Sequence, residues 1–268
     1  MTGNALFSLI MIQDITPLII TLNEAPNIRR ALDKLIWAKR IIVLDSGSTD
    51  DTVDIAHSYP QVTIVRRPFD DFASQCNFGL EQITTPWVLS LDADYELSAE
   101  LVDELGTLNL DEATAGFRAR FIYRIFGRPL RGSLYPARVV LYRKERARYH
   151  NEGHGHRVTV RGDVRPVSGV IYHDDRKSLA RWLASQQRYA ADEAEYLLSR
   201  DPNEIRGFDR IRRAGWPAPF AVLFHALIVQ RCLFDGWYGW YYVLQRVLAE
   251  SMIALEVADR RLRSRDSN

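Results

Sequence analysis

Cysteine is nearly absent from this chain: its 268 residues carry two, Cys76 and Cys232, far apart and without companions at metal-site spacing. That excludes a disulfide framework and fits a reducing compartment. An excess of one charge is also missing. The 35 basic and 34 acidic side chains leave a net charge of +1, which argues against a dedicated nucleic-acid binder. There is no internal repeat and no low-complexity tract, so solenoid and fibrous classes fall away. Long apolar runs are lacking too. The N-terminal run Ala5 to Ile12 is short, with no basic segment before it and no small-residue cleavage pattern after it, so no signal peptide is predicted. The longest uncharged run, Ala214 to Gln230, holds two prolines and a histidine and makes a poor spanning helix.

What remains is the composition of an ordinary globule, 47% hydrophobic and 26% charged. The length suits one large α/β domain, or a domain of about 150 to 200 residues with an appended substructure. The near-zero net charge conceals an asymmetry. Residues 1 to 117 hold 18 acidic and 7 basic side chains, whereas residues 118 to 165 hold 13 basic and 3 acidic. The second stretch is either a solvated basic face or a surface for phosphates and lipid headgroups.

Residues 17 to 22, 41 to 44, 62 to 65 and 87 to 91 are short, nearly continuous apolar runs, the pattern of strands covered on both faces. Between the first two, Ile28, Ala31, Leu32, Leu35 and Ile36 recur at helical spacing, and weaker helical patterns follow at 50 to 58 and 72 to 83. The alternation predicts a β-α-β-α-β-α-β parallel sheet. Ser98 and Glu100 mark a helix start, after which regular alternation stops. Phe117, Ala119 and Phe121 alternate with arginines, Val139 to Tyr142 is a predicted strand, and residues 156 to 173 read as a hairpin turning at Gly162-Asp163. A helix is predicted over 177 to 198, then a polar linker from Arg200 to Arg213, then an aromatic C-terminal region from Trp216 to Leu255. Those aromatics suit either the headgroup boundary of a membrane or a helical hairpin packed on the catalytic domain.

Chemistry concentrates at strand ends. The run Trp87-Val88-Leu89-Ser90-Leu91-Asp92-Ala93-Asp94 delivers two carboxylates to the mouth of a buried strand, where an α/β sheet binds its ligand. Hard oxygen ligands there suit a divalent metal carrying a diphosphate, and hence a nucleotide-sugar enzyme. The first strand ends in the polar cluster Thr21-Leu22-Asn23-Glu24, and the second in Asp45-Ser46-Gly47-Ser48-Thr49-Asp50, a turn that lets a nucleotide approach the backbone closely. Each alone is also a generic turn, but together they line one edge.

These three motifs, in this order and spacing, resemble family 2 glycosyltransferases with the GT-A fold. Tyr142-Arg143, His173-Asp174-Asp175-Arg176-Lys177-Ser178-Leu179 and Arg181-Trp182-Leu183 are similar to the bacterial subgroup that builds lipopolysaccharide core and other cell-surface glycans. The resemblance implies a GT-A, Rossmann-like, mostly parallel sheet flanked by helices, with a C-terminal helical extension. The expected division is an N-terminal extension over 1 to 15, a catalytic domain over 16 to 199 with its nucleotide half at 16 to 100, and a helical, membrane-associated region over 200 to 268. It further implies Thr21 and Glu24 near the nucleoside, with Asn23 and Gly47 in the same site and Asp45 accepting a hydrogen bond from uracil. Asp92 is expected near the ribose or metal, and Asp94 as principal ligand to Mg²⁺ or Mn²⁺. Asn77 and Gly79 match a family helix beside the nucleotide; without the family both read as ordinary helix residues. His173, ending an apolar strand, is a further metal ligand, an acceptor contact or a structural histidine.

Inversion requires a base that takes a proton from the acceptor hydroxyl. Related enzymes carry His-Glu in a loop that here reads His150-Asn151-Glu152-Gly153-His154-Gly155-His156, with Gly155-His156 at the matching place. Glu152 and His156 are the leading candidates and His154 the third, a histidine being suited by a pKa near neutrality. A zinc site from these histidines matches no closed-site spacing. Arg120, Arg124, Arg128 and Arg131 can clamp a phosphate or lie on the surface. The reading is therefore an inverting transferase that moves a hexose, glucose foremost, from a UDP-sugar to a lipid-linked or lipopolysaccharide-core acceptor, in the cytoplasm at the inner face of the inner membrane. Its alternatives are a sugar nucleotidyltransferase, which lacks its Gly-rich basic loop here, and a silent nucleotide-sugar or glycan-binding protein.

Overall fold

The computed structural model describes residues 8–9, 12–110, 112–152 and 155–266, without the side chains of residues 8, 9, 109, 110, 152, 155 and 156. Strand β1 spans Ile15–Thr21, followed by helix α1 (Ile28–Asp33), β2 (Ile41–Asp45), α2 (Thr52–His57), β3 (Val62–Arg66), α3 (Phe72–Glu81) and β4 (Trp87–Asp92). These are the strands and helices expected from the apolar runs. β1 pairs in parallel with both β2 and β4, and β2 in parallel with β3. Side chains of β1 alternate between two cores: Leu18 packs with Cys76 and Leu80 of α3, and Ile15 and Ile19 with Ile28 and Leu32 of α1. Both faces of the sheet are thus covered, which is why these strands read as continuous apolar runs and not as alternating ones.

Beyond Asp94 come β5 (Tyr95–Leu97), α4 (Ala99–Leu105), β6 (Thr114–Ile125), β7 (Arg138–Arg143) and β8 (Asp163–His173). Ser98 caps α4 by accepting from the Leu101 amide at 3.2 Å. The central sheet runs β3-β2-β1-β4-β7-β6-β8-β5. β7 is antiparallel to β4 and to β6, and β8 is parallel to β6 and antiparallel to β5. In β6, Phe117, Ala119 and Phe121 are buried while Arg118 and Arg120 face out.

The predicted hairpin over 156 to 173 is not formed. Gly162 does turn the chain, at φ +127°, but the strand Gly155–Val160 pairs with Ala147–Glu152, and β8 inserts into the central sheet. Local alternation marks strands without naming their partners.

By contacts the chain divides into two compact units, the first comprising residues 1–124, 135–151 and 156–176, the second residues 125–134, 152–155 and 177–268. The second holds α5 (Leu179–Ser199), α6 (Phe208–Ala214), α7 (Pro217–Phe224) and α8 (Gly236–Asp266). Ala190, Ala194 and Leu197 of α5 pack on Ile253 and Val257 of α8. Part of the expected polar linker is helical, because α6 carries Arg212 into a buried pairing with Glu193 at 3.3 Å and Glu250 at 2.5 Å. No single helix among the described residues is long and apolar enough to cross a membrane.

Candidate functional site

The parallel registers bring the polar strand ends to one edge, for Thr21 lies opposite Asp45 and Ile20 opposite Asp92. Asn23 takes a left-handed conformation, φ +57°, which asparagine tolerates. Its Oδ1 accepts from the Thr49 amide at 2.7 Å and the Asp50 amide at 3.3 Å, while its own amide donates to Ser48 Oγ at 2.7 Å. The Glu24 amide donates to Thr52 Oγ1 at 2.6 Å. Asp45 is buried, and its carboxylate accepts from Thr21 Oγ1 at 3.3 Å, the Gly47 amide at 3.1 Å and the Ser48 amide at 3.0 Å. Gly47 sits at φ +98°, a region that side chains disfavour. Thr21, Asn23, Glu24, Asp45 and Gly47 therefore form one zipped pair of loops.

Asp92 ends β4, and Asp94 follows in the turn into β5. His173, the last residue of β8, lies opposite Tyr95 in the register. Its Nε2 is 3.3 Å from Asp94 Oδ2, and its ring is boxed by Tyr123 at 4.6 Å, Tyr135 at 4.7 Å and Tyr95 at 5.2 Å between centroids. The Tyr95 and Tyr135 hydroxyls share a hydrogen bond. Burial, with charge from Asp92 and less from Asp94, pushes both phenols above their ordinary range, so they remain neutral near pH 7. Asp94 and His173, distant in sequence, thus meet beside one aromatic floor.

A carboxylate oxygen and an imidazole nitrogen this close fit one face of a Mg²⁺ or Mn²⁺ ion, a cation held by few protein groups plus substrate phosphates. Among the described residues no group of three His, Cys, Asp or Glu side chains is placed to hold a metal ion. The buried His173 Nδ1 has no hydrogen-bond partner among the described residues, so the tyrosine packing and the Asp94 contact orient the ring.

A charged knot that sequence reasoning missed ties the two halves of the sheet together. Arg30 of α1 donates to Glu96 at 2.5 Å, to the Asp174 carboxylate at 3.0 Å and to the Asp174 carbonyl at 2.7 Å. Arg176 reaches the same Asp174 carboxylate at 2.8 Å. Asn27 donates both to Glu24 at 2.9 Å and to Asp175 at 3.0 Å, linking the end of the first motif to the segment after His173. The run His173 to Arg176 was visible as a resemblance, but nothing local pointed to Arg30 or Glu96.

Asn77 bonds to a neighbouring strand. Its amide clasps the peptide of Tyr149, donating to the carbonyl at 3.1 Å and accepting from the N–H at 3.0 Å. Gly79 provides close approach to Leu18 of β1, since a Cβ there would lie 2.8 Å from its Cδ2. Asn151 extends the clasp: its Oδ1 accepts from the Ala73 amide at 3.0 Å and its Nδ2 donates to Asp71 at 2.9 Å. α3 thereby anchors the strand that ends at Glu152. The side chains of Glu152 and His156, and all of His154, lie outside the described residues. Of the four arginines, Arg120 is exposed and Arg124 pairs with Glu96 and lies over Tyr172 in the first unit, while in the second Arg128 lies over Tyr238 and Arg131 pairs with Asp235.

The family model for glycosyl transferase family 2 matches residues 17–159, more than half of the chain. The chain belongs to glycosyltransferase family 2. An uncharacterized glycosyltransferase of Rickettsia bellii is 29% identical to it over 214 residues, covering 74% of this chain and 72% of that protein. The lipopolysaccharide core biosynthesis glycosyltransferase LpsC of Rhizobium meliloti is 34% identical over 94 residues, 34% of this chain and 35% of that one. Among solved structures, a mannosyltransferase from Pyrobaculum calidifontis in complex with GDP-Man and Mn²⁺ aligns at a TM-score of 0.50 with 16% identity, over 93% of this chain and 87% of that one. That likeness carries the fold of this family 2 glycosyltransferase, GT-A, with a C-terminal helical region. The nucleotidyltransferase and silent-binder alternatives fall to the family match.

Proposed function

We propose that this family 2 glycosyltransferase transfers a hexose from a UDP-sugar, with inversion and with a divalent cation, to a hydroxyl of a lipid-linked or lipopolysaccharide-core oligosaccharide at the cytoplasmic face of the inner membrane. The observation that carries the proposal is the meeting of Asp94 and His173 at 3.3 Å, just past the end of the strand that Asp92 closes, on the sheet whose strand ends also carry Thr21 and Asp45. The similarity to LpsC supports the acceptor class, and the basic stretch from Arg118 to Arg165 suits an anionic one.

In this reading Asp94 and His173 hold the cation, with Asp92 between it and the ribose. Bound there, Mg²⁺ or Mn²⁺ would neutralise charge on the departing nucleoside diphosphate. Thr21, Asn23 and Glu24 bound the nucleoside, Gly47 admits it close to the backbone, and Asp45 accepts from the uracil ring while holding the loop in shape. Asn77 acts at a remove, by fixing the strand before the base. The base itself is Glu152 or His156, with His154 third, in the segment His150 to His156.

The test is release of nucleoside diphosphate from a panel of donors, with and without each cation, for wild type, Asp94→Ala, Glu152→Gln and His156→Ala. Metal dependence and a loss on the order of 10²- to 10³-fold in Asp94→Ala are expected, the scale of deleting one group that stabilises developing charge. Unchanged turnover in Asp94→Ala would overturn the assignment, and the larger loss among the other two identifies the base.

A further inference from the structure

The second unit presents an aromatic patch edged by cations. At its centre, α7 and the short helical turn after it meet the segment from Cys232 to Asp266 at a bend of 70°. Arg231 at φ +59° and Gly236 at φ +59° make the turn, and Gly239 lets the backbone of Cys232 approach where any Cβ would collide. At the turn Phe234 is 67% and Trp237 84% exposed. The 126–131 loop sits on the same surface: Phe126 stacks on Tyr241 at 5.7 Å, Arg128 lies 5.2 Å over Tyr238 and Arg131 lies 5.9 Å from Phe234. On α7, Trp216, Phe220 and Phe224 recur every four residues and are all more than 60% exposed, so one helical face is apolar and uncovered.

The charge around these rings has one sign. Residues 126–134 and 214–242 together contain three arginines, Arg128, Arg131 and Arg231, and one acid, Asp235. Asp235 is already paired with Arg131 at 3.3 Å. A second copy of this chain is a poor occupant, since a twofold contact would bring two copies of the same net-positive patch together. An anionic bilayer surface complements both features, because aromatic rings settle at the headgroup boundary and arginines meet lipid phosphates.

We propose that the turn between α7 and α8, with the 126–131 loop, docks this enzyme onto an anionic membrane by inserting Phe126, Phe234 and Trp237 into the headgroup region while Arg128 and Arg231 bind lipid phosphates. This deepens the lipid-linked acceptor reading given above and rests on it for its biological sense. No helix needs to cross the bilayer; an apolar face seated about 5–10 Å deep suffices.

The full chain is tested by co-sedimentation with phosphatidylethanolamine vesicles containing phosphatidylglycerol, against vesicles of phosphatidylcholine alone. Wild type is expected to bind the anionic vesicles preferentially and less tightly as salt rises. The double variant Phe234→Ser, Trp237→Ser should bind at least about tenfold more weakly, the scale of burying one or two aromatic side chains. Arg128→Glu, Arg231→Glu, altering exposed side chains, should lose the preference for anionic vesicles with its melting temperature unchanged. Metal-dependent hydrolysis of UDP-sugar by water, measured without lipid, should be equal in all three proteins. Its absence from wild type would overturn the catalytic reading alone, since vesicle binding is scored separately. Failure of wild type to bind anionic vesicles, equal binding by the variants, or self-association through the patch in place of vesicle binding would overturn the docking proposal.

Discussion

Cys76 and Cys232 are both buried, and burial pushes both thiols up, Cys232 to about 11. The shift is upward, so at pH 8 each is a protonated thiol, a poor nucleophile. Neither should alkylate with iodoacetamide in the native protein at that pH, and both should in denaturant, as read by intact mass. Arg30 offers a stronger test. Asp174 is fully buried and depends on Arg30 and Arg176, and Glu96 depends on Arg30 and Arg124. Arg30→Ala should cost roughly 3–5 kcal/mol, the usual consequence of removing one partner of a buried pair. In a chain of this size that lowers the melting temperature by roughly 6–20 °C. An Arg30→Ala melting curve superimposable on wild type would remove the knot from the account.

At the level of elements, α3 anchors the strand that carries Tyr149 and Asn151. Its N-terminal turn is capped by Asp71, which accepts from the Ser74 amide at 2.8 Å, and Asn151 completes the capping from the neighbouring strand. Asn77→Ala removes both hydrogen bonds to the Tyr149 peptide. The expected outcome is a fall in kcat on the order of 10²-fold with KM for the donor little changed, because displacing a catalytic group by about 1 Å costs that much. A rise in donor KM with kcat intact would instead restore Asn77 to the nucleotide site. Neither role was separable from sequence, since Asn77 and Gly79 look like plain helix residues until Tyr149 and Leu18 are seen against them.

For the whole molecule, binding is linked to stability. UDP with Mn²⁺ should raise the melting temperature more than either alone, because each ligand completes the other's site. A concentration one hundred times the dissociation constant corresponds to about 2.7 kcal/mol. Asp94→Ala should abolish the joint effect while keeping whatever UDP does alone, checked by differential scanning fluorimetry. Stabilisation by UDP that chelation leaves untouched would place the nucleotide elsewhere or remove the cation from the site.

Four parallel strands, the helices between them and the acids at their ends were legible because their signals are local. A strand covered on both faces must be apolar throughout, and Asp, Ser, Gly and Asn close the turns that follow it. The meeting of Asp94 with His173, the Arg30 knot, the clasp of Asn77 on Tyr149 and the true partner of β8 were settled only by the tertiary structure. Each joins segments far apart in the chain, so it depends on strand order and register, and the period of a sequence encodes neither. The aromatic tail shows the same boundary: its composition suits either a membrane surface or a packed helical hairpin, while the bend at Arg231 and the packing of the 126–131 segment determine which rings face outward.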